Sequence, residues 1–240
     1  IPYNLKQIGY GTHAIHNHRG VFYGRNEVFP NLGYDTFTSV EYMNNVGRTP
    51  KNWEKDNVLT GEIIDAMEST KGPDYVYTIS VQGHGKYPTE QVFEDPEITV
   101  TSAPTEALKW QYEYYANQIH EMDKFVADFI EAMSQYDEDV VVVMYGDHLP
   151  AIDNISDENL KDGRITYQTD YFIWSNFGLE KEDKDLCSYQ IGSEVLDRIG
   201  ITNGTMVTFH QNHRDDENYL EELHALQYDM LYGEKYIYDG

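Results

Sequence analysis

The stretch Val140-Val-Val-Val-Met-Tyr-Gly-Asp-His-Leu-Pro150 decides the fold. Its run of β-branched and apolar residues reads as a strand buried on both faces, which is how central strands of parallel sheets read. The run ends between Gly146 and Pro150 in an Asp-His pair. Sheets of this kind bind ligands just beyond the carboxyl ends of their strands, so Asp147 and His148 stand where chemistry is normally done. A carboxylate beside an imidazole also offers half of a divalent metal site. The same dipeptide serves elsewhere as a cap or turn, and a working metal site needs more ligands than two.

Outward from this strand, short apolar runs alternate with longer helical patterns, the organisation of an α/β domain. Leu5 to Ile8 reads as the end of a helix, and Gly9 to His16 as a strand running into a loop. A polar, aromatic-rich loop is expected from Asn17 to about Met43, with Pro30, Asn31 and Gly33 as turn formers. Asn57 to Ser69 has amphipathic helical spacing, and Tyr75-Val-Tyr-Thr-Ile-Ser-Val81 is a second strand. The glycine-flanked segment Gln82-Gly-His-Gly-Lys-Tyr-Pro88 leaves it as a loop that backbone and ligand can approach closely. Thr105 to about Tyr136 is the longest helical pattern, with apolar residues at three- and four-residue steps. Thr169 to Ser175 reads as a strand, Ser188 to Ile199 as a helix, and Glu221 to Asp239 as helical at first, then aromatic and extended.

Composition narrows the partners. The 240 residues suffice for one substantial core, so one domain is expected over 1–240. A formal net charge of -25, from 42 acidic and 17 basic residues, argues against nucleic acid, whose binding needs clustered Lys and Arg. An anionic membrane surface would repel the chain as well. The single cysteine, Cys187, excludes an internal disulfide and any cysteine-based metal cluster. No segment approaches the ~20 apolar residues that span a bilayer. The chain opens at Ile1 with neither Met nor a signal-type segment, which leads us to expect a piece of something longer. The 21 tyrosines favour carbohydrate-facing or wet apolar surfaces.

Tyr145-Gly-Asp-His-Leu-Pro150 closely resembles a signature of the lipoteichoic acid synthase family of phosphoglycerol transferases, within the alkaline phosphatase and sulfatase superfamily. Ile15-His-Asn-His-Arg-Gly-Val-Phe-Tyr-Gly-Arg25 with Val28 to Phe37 resembles that family's substrate loop, and Ser80-Val-Gln-Gly-His-Gly-Lys-Tyr87 its histidine loop. Segments Tyr115 to Lys124, Tyr171 to Asn176 and Leu226 to Tyr236 resemble further family segments in the expected order, so the likeness covers nearly the whole chain.

The resemblance implies a three-layer α/β/α sandwich of alkaline phosphatase type, with the N-terminal part of the domain lying outside these residues. It implies that Asp147 and His148 are ligands of a catalytic Mn2+ or Mg2+, that His84 contacts the phosphoryl group, and that Arg25 holds the substrate phosphate. Tyr23 falls beside the glycerol, and His16 and His18 line the same loop; His18 stands where an acidic residue is expected, and Ile152 where a polar contact to glycerol can occur. The family's nucleophile is a threonine at a helix N-terminus, expected upstream of residue 1 together with a further acidic ligand. Thr12 lies within a strand and matches a non-catalytic position. The activity implied is transfer of glycerol phosphate from phosphatidylglycerol to a glycan or teichoic-acid-type polymer outside the bacterial membrane, the parent being anchored by upstream helices. The isolated chain is then expected to be inactive. A phosphoethanolamine transferase, a sulfatase, or a non-catalytic module binding glycan or glycerol phosphate are the competing readings.

Overall fold

A computed structural model of the chain describes residues 1–238. It separates into two compact units, Pro2–Gly178, and Leu179–Gly240 together with Ile1.

In the larger unit, helix α1 (Pro2–Gln7) leads into β1 (Gly11–His16); α2 (Arg25–Asn31), β2 (Thr36–Ser39), α3 (Leu59–Glu68) and β3 (Asp74–Ile79) follow. The three strands form a parallel sheet in the order β2-β1-β3. Register sets Phe37, Ala14 and Tyr77 side by side, and Phe29 of α2 packs on Phe37 and Tyr77 from that face. Ile15, one residue on, points the opposite way, as strand alternation requires. It joins Met43, Leu59 and Ile63 in a core completed by Val76, Phe125 and Phe129. Helices thus cover both faces of the sheet, and β1, its middle strand, is almost wholly buried.

The long helix α4 (Glu106–Ser134) supplies Phe125 and Phe129 to that core. Thr105 caps it, its side chain accepting from Leu108 N at 3.2 Å, which satisfies one of the otherwise orphaned first-turn donors. β4 (Val141–Tyr145) and β5 (Tyr171–Ser175) then pair antiparallel as a separate two-stranded ladder.

This ladder corrects the reading of Val140–Met144 as a strand buried on both faces of a parallel sheet. Val141 to Met144 are only half-buried, and the partner strand runs antiparallel. The physical reason is an edge: among the described residues β4 pairs with β5 alone, so its other side has no strand neighbour there. The loop expected from Asn17 to Met43 also differs, because it contains α2 and β2. Tyr23 and Gly24 both adopt left-handed backbone (φ 56° and 65°) and swing the chain into α2, so Pro30 and Gly33 punctuate a short helix instead of a loop.

In the smaller unit, α5 (Ser188–Arg198), α6 (Thr205–His213) and α7 (Tyr219–Leu231) bury Leu196, Val207, Tyr219 and Leu223. The second of these helices lacked a clear sequence signal, since only Val207 and His210 along it are buried. Buried Glu194 is paired with Lys184 at 2.8 Å and with Arg214. The tail expected to be extended is instead curled into a 3-10 turn at Tyr236–Tyr238, because Asp229 accepts from the backbone N–H groups of Lys235 and Ile237. Asp239, the last residue of that expected tail, lies outside the described residues. No helix among the described residues is long and apolar enough to cross a membrane.

Candidate functional site

A cleft of about 620 Å³ opens in the larger unit where β3 and β4 end. Arg25, His84, Asp147 and His148 all line it. The strands explain why residues so distant in sequence meet. His16 is the last residue of β1, His84 lies just past the end of β3, and Asp147 just past the end of β4. His84 and Asp147 therefore follow strand ends, where backbone leaves the sheet and side chains are freed from packing duties, while Arg25 opens α2.

The Arg25 side of the cleft is built from buried partners. His16 is 1% exposed; its Nδ1 lies 2.9 Å from the carbonyl oxygen of Ile79, so Nδ1 carries the proton and donates. Nε2 is left as an acceptor, and Arg25 Nη1 donates to it at 2.8 Å. Desolvation, with the nearby Arg25 charge adding to it, pushes the His16 pKa down from 6.5 to about 4, so the ring is neutral at physiological pH and tolerates the guanidinium. Arg25 occupies the first turn of α2, where the helix dipole disfavours a cation. Neither Glu27 nor any other acid forms an ion pair with it among the described residues. The Phe22 and Tyr23 rings lie 5.5 and 5.4 Å from its guanidinium carbon, within cation–π range. Burial lowers the Arg25 pKa, but a guanidinium remains charged. The result is a fixed cation with spare donors, the chemistry that suits a phosphate oxygen.

His84 is set from another direction. Its Nδ1 donates to the carbonyl of Gly85 at 2.7 Å, leaving Nε2 free of that bond, and its ring packs on Trp53 at 4.7 Å. Trp53 also meets His18 edge-on at 5.2 Å. His18 itself is buried, with Nδ1 2.8 Å from Glu54 Oε2, and Glu54, 1% exposed, is held in turn by Arg48 at 2.9 Å. An acid, Glu54, thus stands bonded to His18. Sequence reasoning missed Trp53 and Glu54, since nothing in their local pattern ties them to a histidine some 35 residues away. It also missed Asp56, whose Oδ1 accepts from Asn17 Nδ2 and from the backbone of Val81 and Gln82, tying the first site loop to the histidine loop. Burial raises the Asp56 pKa from 3.8 to about 6.

Asp147 and His148 differ in kind. Their side chains are 79% and 64% exposed. His148 Nδ1 donates to Leu149 O at 2.8 Å, which leaves Nε2 as a lone-pair ligand, and this nitrogen sits 3.7 Å from Asp147 Oδ1. Two ligands each about 2 Å from one cation stand roughly 3–4 Å apart, so the pair fits a shared divalent ion in both spacing and tautomer. Two protein ligands do not complete such a site. The one group of three converging ligand atoms among the described residues, His213, Asp216 and Glu222, belongs to the smaller unit.

Of the other expected residues, His16 reaches the cleft only through Arg25, and His18 and Tyr23 do not line it. Tyr23 is 76% exposed beside Arg25. Ile152 is buried with Tyr87 and Tyr114, as core and not as a cleft residue. Thr12 is buried in β1 and bonded to Asp35 at 2.8 Å.

The chain is similar to several known proteins in sequence and fold. Over 95% of its length the chain is 23% identical to a putative cyclic β-1,2-glucan modification protein of Rhizobium meliloti, of which it spans 42%. The phosphoglycerol transferase GacH of Streptococcus pyogenes, solved with sn-glycerol-1-phosphate, superposes with a TM-score of 0.74 at 20% identity, covering 96% of this chain and 64% of that one. The lipoteichoic acid synthase LtaP of Listeria monocytogenes superposes with a TM-score of 0.54 at 24% identity, over 72% of this chain and 45% of that one. The α/β fold is accordingly that of the alkaline phosphatase-like proteins. A sequence profile of the Sulfatase family matches residues 1–201, and the chain belongs to that family.

Proposed function

We propose that this chain is the phosphate- and metal-holding part of an extracellular phosphoglycerol transferase, which moves glycerol phosphate from phosphatidylglycerol to a glycan or teichoic-acid-type polymer. The observation that carries the reading is the convergence of Arg25, His84, Asp147 and His148 on one cleft, with Arg25 aimed by a neutral histidine. Sulfate and phosphate esters both suit such a site. Phe22 and Tyr23 beside Arg25 favour a donor whose head group offers a short polyol to aromatic faces.

Within this chain, Arg25 binds and orients the non-bridging oxygens, and His84 donates to or accepts from the same group through Nε2. Asp147 and His148 would hold one side of a divalent cation, Mn2+ or Mg2+, which would supply positive charge to the phosphoryl oxygens. The nucleophile, a threonine from a segment outside residues 1–240, attacks phosphorus and displaces diacylglycerol; an acceptor hydroxyl then displaces the threonine. The chain spans less than two-thirds of the first relatives it matches. The test is transfer from a fluorescent phosphatidylglycerol by the longer parent protein, with an aryl sulfate and phosphatidylethanolamine as rival donors. Transfer that is lost on Arg25→Ala and on chelation supports the proposal. Turnover of the rivals alone overturns it in favour of a sulfatase or phosphoethanolamine transferase, and glycerol phosphate binding that survives chelation without turnover in favour of a binding module.

A further inference from the structure

Four consecutive residues that no motif marks, Trp53-Glu-Lys-Asp56, stand between the two loops that carry the Arg25 side of the cleft. The segment is itself fixed. Thr49 N donates to Trp53 O at 2.8 Å and Lys55 N to Gly47 O at 2.9 Å, while Tyr114 of α4 donates to Thr49 Oγ1 at 3.0 Å. Lys55 pairs with Glu121 of the same helix at 2.8 Å. From this anchored base, Trp53 lays its ring 4.7 Å from that of His84. Asp56 reaches both loops at once. Its Oδ1 accepts from Asn17, which lies between His16 and His18, at 2.8 Å, and from Val81 N and Gln82 N, just ahead of His84, at 3.1 and 3.3 Å. Gln82 Oε1 returns a bond from Asp56 N at 2.9 Å.

This arrangement is not the one that packing alone would select. Asp56 and Asn17 are both 0% exposed, and Asp56 Oδ2 and Asn17 Oδ1 are buried without hydrogen-bond partners. Burying a carboxyl group on such terms costs stability, and an apolar side chain would fill the space at lower cost. Polar groups held in a core at a cost are best explained where they fix one arrangement among several. Here the arrangement is the relative placing of two loops, one bearing the histidine that holds Arg25 and the other bearing His84. We propose that Trp53 and Asp56 are positioning residues, which hold His84 and the Arg25 loop at one fixed separation so that both grip the same tetrahedral oxyanion. Asp56 sets the two backbones, and Trp53, with the Gly85 carbonyl, sets the His84 ring. The inference rests on the proposed role of Arg25 and His84 toward one phosphoryl group, and holds for any donor that presents one.

The test is steady-state kinetics of the longer parent protein, on whichever of the three donors it turns over. Trp53→Ala is expected to lower kcat/KM by about 10- to 100-fold, mainly through kcat, since a misplaced group fails in the transition state. Trp53→Phe keeps an aromatic face and should recover to within about 3-fold. Added to His84→Ala, Trp53→Ala should cost less than about 3-fold more, because it acts through that ring. Asp56→Ala should lose as much as Trp53→Ala, and Asp56→Asn, which keeps an acceptor for Val81 and Gln82, should stay within about 3-fold. Where Trp53→Ala does not fold, Trp53→Leu takes its place with the same outcomes. A parent that turns over none of the donors is titrated instead with inorganic phosphate, following the His84 ring resonances, and Trp53→Ala should weaken that binding about 10-fold. A change of donor sinks the phosphoglycerol reading and leaves these ratios standing. The positioning role is overturned by a Trp53→Ala protein with unchanged kcat/KM or phosphate binding, by a loss that Trp53→Phe does not recover, by losses that multiply with His84→Ala, or by an Asp56→Asn protein as impaired as Asp56→Ala.

Discussion

The two sides of the cleft are made differently. On one, Arg25 is fixed by a buried histidine, which is fixed in turn by the carbonyl of Ile79; on the other, Asp147 and His148 project into solvent with only a local Leu149 contact to hold them. A buried, fully partnered group is preorganised by the fold that surrounds it. An exposed pair becomes ordered only when a cation and its remaining ligands arrive. The Arg25 side is therefore held by buried partners, whereas the Asp147 and His148 side is held by a single local contact.

Breaking the metal side has the largest expected effect. Asp147→Ala in the longer parent should lower transfer by on the order of 10³-fold, because several kcal/mol of charge stabilisation depend on that ion. Isothermal titration with Mn2+ should show tight binding by the parent and at most weak binding by residues 1–240 alone; equal affinity would contradict the asymmetry.

Arg25→Lys should cost roughly 10²-fold in transfer, since an ammonium cannot keep the planar bond to His16 and still offer a fork to phosphate. Steady-state kinetics check this, and a variant with unchanged kcat/KM would remove Arg25 from the site.

His16 offers a sharper probe, with about a 10-fold loss on His16→Phe and partial rescue by His16→Gln, whose amide can both donate and accept. Its pH behaviour has a definite sign. The folded-state pKa lies below the unfolded value of 6.5, so the neutral ring's contribution is fully present above pH 6.5, erodes as the unfolded state takes up protons, and is lost as pH falls through about 4. A 15N spectrum following the His16 ring should show no protonation between pH 7 and 5.

The smallest effect is on stability. The Asp56 pKa is raised to about 6, so its sign is opposite: stability is greatest at low pH for this group and falls as pH rises through about 6. Its Oδ2 is buried without a partner, so that oxygen gives the carboxylate no hydrogen-bond support to offset its burial. Urea unfolding should show a loss on the order of 1–3 kcal/mol between pH 5 and 8 that Asp56→Asn flattens.

Much of this molecule is legible one element at a time. Periodicity in Thr105 to Tyr136 gives α4, and the apolar runs at Tyr75 and Val140 give β3 and β4, because each pattern records which face an element must bury. α2 escaped that reading, since its seven residues include an internal proline and follow a left-handed turn. The quoted motifs likewise located Arg25, His84, Asp147 and His148 through resemblance.

Sequence alone determined the α/β class, the placing of His84 and Asp147 beyond strand ends, and the net charge of -25. Tertiary structure decided the rest: that His16 serves Arg25, that Glu54 stands behind His18, and that β4 has an open side. The physical reason is separation along the chain. A periodic pattern reports whether a residue is buried, but a hydrogen bond between residues 36 positions apart, or a strand lacking a neighbour, exists only once the chain has brought distant segments together.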